Sequence, residues 1–163
     1  MKLTRPIIKE LSLEAYNDTS ILNSVAANLD NMDFKKVKTK YAKGGWDALS
    51  LHGYGNHPLD ILKPGVLKSS VNIDTKLQWT TLSVITTMKP ILGMLKKLPC
   101  EFERVRFMRL EAGKVIGKHT DKIDKDIGFD DGDIIRIHMP IRTNDNVVFT
   151  LYENTKDKNG TEH

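Results

Sequence analysis

Apolar residues recur at helical spacing at Ile21, Leu22, Val25 and Leu29, directly after Asp18-Thr19-Ser20. A short polar residue followed by an apolar stripe of period 3.6 predicts an N-capped amphipathic helix ending near Asn31, its stripe packed into a core. Upstream, Ile7-Ile8-Lys9-Glu10-Leu11 reads as the opening of a strand. Trp46, Ala48, Leu49 and Leu51 lead into His52-Gly53-Tyr54-Gly55-Asn56-His57-Pro58, whose glycines and proline predict a loop. A second helix is predicted over Pro90 to Leu98. Pro90 suits its first turn, where no amide donor is needed, and Pro99 stops it.

From Cys100 onward the pattern shortens into strands and tight connections. Arg104 to Leu110, Val115 to Asp121, Ile134 to Arg142 and Val147 to Tyr152 read as four strands. A charged loop, Lys122 to Asp133, separates the second from the third. In the third, Ile135, Ile137, Met139 and Ile141 share one face, and Arg136, His138 and Arg142 share the other with Ile134 and Pro140. Helices followed by short antiparallel strands describe an α+β protein with a β-sandwich or barrel core.

Composition narrows the class. The 163 residues fit one domain over 1–163, and the 39% hydrophobic fraction fits a globular chain. Within it, residues 1–99 read as an outer layer, 100–152 as the strand region and 153–163 as a polar tail. No apolar run approaches the eighteen or so residues that a membrane-spanning helix needs. The start, Met1 to Pro6, lacks the apolar core of a signal peptide, so cytoplasmic residence is expected, with no membrane partner. Cys100 is the single cysteine, which excludes an internal disulfide and a cysteine-cluster metal site. There are 25 basic and 21 acidic residues, a net charge of +4, and they alternate along the chain. No nucleic-acid partner is expected, because phosphate binding needs positive charge gathered into a patch.

The sharpest chemical signal is His119-Thr120-Asp121. In a strand, residues two apart face the same way, so an imidazole and a carboxylate can take adjacent positions on one metal ion. The alternative is a surface histidine beside a solvated aspartate. Arg136 and His138 also have two readings. If Ile135, Ile137, Met139 and Ile141 pack into a core, the basic groups are solvated. If both faces are enclosed, Arg136 and His138 project into a cavity, where a guanidinium fork suits a carboxylate.

Three segments carry a family resemblance: Arg106-Phe107-Met108-Arg109-Leu110-Glu111-Ala112-Gly113, then His119-Thr120-Asp121, then Ile135-Arg136-Ile137-His138-Met139-Pro140-Ile141-Arg142-Thr143-Asn144. Together they resemble the aspartyl/asparaginyl β-hydroxylase family of iron(II)- and 2-oxoglutarate-dependent dioxygenases, which includes proline-hydroxylase-like members. The match covers about residues 100 to 152, with a fainter echo from Tyr41 to Gly55. The resemblance implies a double-stranded β-helix, the cupin-like jelly roll, with N-terminal helices packed outside. It makes His119 and Asp121 iron ligands and places Arg136 and His138 at the cosubstrate. Trp46, His52, Arg106 and Arg109 fall near the substrate, with Arg106 and Arg109 on a strand bordering one pocket. The implied reaction is hydroxylation of an amino acid, a peptide or a small anionic substrate.

The family pattern also has a later histidine ligand and an arginine for the distal carboxylate of 2-oxoglutarate. Neither finds its setting in Glu153 to His163; His163, His52 and His57 are the remaining donors. The expectation is therefore a C-terminally truncated chain with an incomplete barrel and impaired activity. A homodimer would cover its open edge. The competing expectation is a non-catalytic binding or assembly module, a half jelly roll completed by oligomerisation.

Overall fold

Asp18 starts the first helix, α1 (Thr19–Asp30), by accepting at Oδ1 from the Ser20 amide at 3.0 Å, the Ser20 hydroxyl at 2.6 Å and the Ile21 amide at 3.3 Å. These bonds hold its carboxyl below the usual aspartate range, the Ser20 hydroxyl contributing most. The computed structural model describes residues 18–40, 42–61, 76–119, 136–150 and 152. The strand expected at Ile7 to Leu11 lies outside them.

After α1 the chain turns into an antiparallel hairpin, β1 (Lys35–Thr39) and β2 (Ala42–Gly53). Lys35 faces Ala48 and Val37 faces Trp46, but Thr39 faces Ala42, so β2 carries extra residues between Val37 and Thr39. Gly44 and Gly45 absorb this bulge with φ of 82° and 74°. At Gly45 a Cβ would also sit 2.5 Å from the Val37 carbonyl oxygen, so no larger residue fits there.

β2 is the central strand. It pairs antiparallel with β3 (Gln78–Trp79), β4 (Val105–Arg109) and β5 (Val115–Ile116). Residues Gly45 to Gly55 are all buried. A second bulge sits where Ser50 faces Arg106 and His52 faces Val105, leaving Leu51 unmatched.

Two 3-10 turns, Thr81–Val84 and Thr86–Met88, lead into α2 (Lys89–Leu95), with Pro90 in its first turn. One core unites both helices with one face of the sheet: Val25, Leu29, Leu49, Leu51, Met88, Ile91, Met94 and Phe107 are among its buried members. The opposite face has a small core of Ala42, Trp46, Ala48 and Ile61, flanked by Val37 and Ile116. Among the described residues the architecture is α+β, two helices on an open antiparallel sheet.

Several expectations change. Apart from Ile7 to Leu11, the sequence pattern put the strands after residue 100, yet β1, β2 and β3 precede α2. β1 has one apolar residue to bury, Val37, and so shows no alternation. His52 and Gly53 belong to β2, and the predicted loop begins at Tyr54. The second helix stops at Leu95 and continues as turns. The second C-terminal strand shrinks to Val115–Ile116 within the described residues, while 136–142 and 147–150 form no strand. Between them an Asn144 turn is present: its carbonyl accepts from Val147 N–H at 3.0 Å and its Oδ1 from Asn146 N–H at 2.9 Å.

Candidate functional site

β4 presents its two arginines differently. Arg106 and Arg109 are three residues apart and therefore take opposite faces of the sheet. Arg106 lies over the Trp46 ring, 5.4 Å from its centroid, with Ala48 between them on the same face. Arg109 points to the helical side. Its Nη2 donates to Asp47 Oδ2 at 3.1 Å and its guanidinium stacks 4.2 Å above Phe34. Asp47 is buried on the central strand, so this pair ties the end of β4 to β2 beside Phe34. The expectation that both arginines border one pocket is therefore corrected: Trp46 and Arg106 come together, and Arg109 is committed to Asp47 and Phe34. That pairing spans 62 positions and leaves no mark in the sequence.

His52 packs edge-on against Trp79, with centroids 4.8 Å apart, and Phe102 lies 6.5 Å away. Its Nδ1 donates to the Glu103 carbonyl oxygen at 3.0 Å, tying β2 to the start of β4. Burial pushes its pKa below the usual histidine value, and the Glu103 carbonyl partly opposes that shift.

β5 carries the chain to Gly117-Lys118-His119. His119 is exposed, and its Nδ1 lies 2.8 Å from the Gly117 carbonyl oxygen. A carbonyl can only accept, so the proton sits on Nδ1 and the lone pair on Nε2 of the neutral ring. Metal-binding histidines commonly use this arrangement, in which a backbone carbonyl fixes the tautomer. Asp121 lies outside the described residues.

Downstream, Met139 and Ile141 pack against the helical core, while Arg136, His138 and Arg142 are exposed. Of the apolar face expected for this stretch, Met139 and Ile141 pack inward, Ile137 is 40% exposed, and Ile135 lies outside the described residues. Arg142 grips Asp30 at the end of α1 through two bonds of 3.0 Å, which raises its pKa, the hydrogen bond acting before the charge. The His138 ring lies tilted against Phe149, centroids 5.2 Å apart, and Lys118 Nζ lies 4.7 Å over Tyr152. Phe149 and Tyr152 thus touch the segments that carry His138 and His119, respectively.

The family model described as aspartyl/asparaginyl beta-hydroxylase matches residues 16–160. The chain belongs to the aspartyl/asparaginyl β-hydroxylase family. Neither a curated protein nor a solved structure matches it. The family uses iron(II) and 2-oxoglutarate. His119 fits an iron ligand by its tautomer. Among the described residues no three His, Cys, Asp or Glu side chains cluster to hold a metal, so the remaining donors are not assembled there.

Proposed function

We propose that this β-hydroxylase family member is an iron(II)- and 2-oxoglutarate-dependent hydroxylase of an amino acid, a peptide or a small anionic substrate. Its β2–β4–β5 sheet forms part of a double-stranded β-helix. The observation that carries this reading is the family match across residues 16–160.

His119 and Asp121 would hold the iron, and Arg136 and His138 would receive a 2-oxoglutarate carboxylate. Bound iron with 2-oxoglutarate would activate dioxygen, one oxygen atom entering a substrate C–H bond and the other the succinate left when 2-oxoglutarate loses carbon dioxide. The protein's own part is positional. Gly117 holds the His119 proton on Nδ1. Arg106, half-buried and braced on the buried Trp46 ring, would present the substrate with a cation suited to a carboxylate. His52 and Arg109 act further back, His52 bracing β2 against the start of β4 and Arg109 tying the end of β4 to β2.

The test is iron(II)-dependent succinate release from 2-oxoglutarate, assayed over free amino acids and short peptides. Substrate-stimulated release is expected, reduced at least about 100-fold in His119→Ala. Absence of release across the panel, or full activity in His119→Ala, would contradict the reading.

A second reading, an assembly module without catalysis, is favoured by the run Val147, Val148 and Phe149, which are 60%, 81% and 69% exposed. In that case succinate release is absent and the chain associates with itself.

A further inference from the structure

The charge that alternates along most of the chain gathers at one corner of the fold. Five lysines fall between positions 35 and 43, and no acidic residue occurs from Phe34 through Trp46. Lys35, Lys36, Lys38 and Lys40 are all exposed. Lys114, from the turn between β4 and β5, reaches the same hairpin beside Gly44. Asp47 faces Lys36 across the sheet, but its carboxylate is bound to Arg109.

This positive corner is also a sheet edge. Among the described residues β1 pairs with β2 alone, so alternate N–H and C=O groups along its other side point away from the sheet. The bulge lies in β2, which leaves β1 regular over Lys35–Thr39.

We infer that the outer edge of β1 is a docking strand for an extended, acidic polypeptide segment. The segment adds to the sheet through backbone hydrogen bonds, and carboxylates on one of its faces meet Lys36 and Lys38, which share a face of β1, and Lys40 just beyond the strand. Charge selects the partner. A second copy of β1 would bring like charges together, whereas an acidic strand neutralises them. The chemistry of the patch favours peptide over nucleic acid. Its cations are lysines rather than arginines, and no described side chain from Lys35 to Lys40 can stack on a base. Phe34 beside it is covered by Arg109. The inference stands apart from the hydroxylase reading, because it concerns binding alone.

The test uses a fluorescein-labelled ten-residue peptide of alternating aspartate and valine, with binding followed by anisotropy. Saturable binding is expected. It should weaken at least about tenfold in Lys36→Gln/Lys38→Gln/Lys40→Gln, and as much when the peptide's alternate amides are N-methylated, which removes strand pairing but keeps the charge. These lysines are exposed, and circular dichroism confirms that the variant is folded. No saturable binding, equal binding to the variant, or equal binding of the N-methylated peptide would overturn the inference. So would a ten-residue oligothymidylate that binds more tightly than the peptide and depends on the same lysines.

Discussion

The two faces of the β2–β4 sheet are covered unequally. On one, Leu49, Leu51 and Phe107 meet both helices, and Leu49 is 2% exposed. On the other, Trp46 and Ala48 are buried in a core of four residues, while Met108 beside them remains 49% exposed. The difference separates tasks. The helical face supplies stability, since burying a side chain such as Leu contributes about 1.5–3 kcal/mol. The other face carries Arg106 on Trp46 and remains able to receive a ligand or a further layer of structure.

Substitutions on the two faces should differ accordingly. Leu49→Ala leaves a cavity among well-packed neighbours and should cost about 3 kcal/mol. Met108→Ala, one register position away on the other face, should stay within about 0.5 kcal/mol. Urea unfolding of both variants checks the contrast, and equal losses would break it.

A smaller effect should come from the edge of the helical core, where His52 meets Trp79 and Phe102. Burial depresses its pKa in the folded state, so the unfolded chain binds the proton more readily. The contribution is complete above about pH 6.5, the ordinary histidine value, and is lost as pH falls through the lower folded value. Unfolding free energies measured from pH 8 to pH 5 should decline for the native chain. In His52→Phe that part of the decline should disappear. An unchanged slope would mean that His52 exchanges its proton as freely as an exposed ring.

The scaffold was legible where local chemistry decides structure. Asp18 announces α1 because its carboxylate can satisfy helix-start amides, and Pro90 announces α2 because a first turn needs no donor there. β1 was hidden by its lysines: an edge strand with one residue to bury shows no alternation. β2 was blurred by its bulges, which put Leu51 and His52 out of step with a period of two. The face difference between Arg106 and Arg109 was present in their spacing. The Arg109–Asp47–Phe34 contact was not, since three distant segments make it. His119 to Asp121, together with the segments Arg106 to Gly113 and Ile135 to Asn144, revealed the family through residue types and order. The geometry of the His119 motif depends on positions 120–135, which lie outside the described residues.

In the proposed function, His119 and Asp121 hold the family's metal in this chain. Binding of manganese(II), a redox-inert stand-in for iron(II), measured by calorimetry with 2-oxoglutarate present, tests it most directly. The account predicts one site per chain, lost in His119→Ala and in Asp121→Ala and retained in His57→Ala. No binding to the native chain, or binding unchanged in His119→Ala, would contradict it.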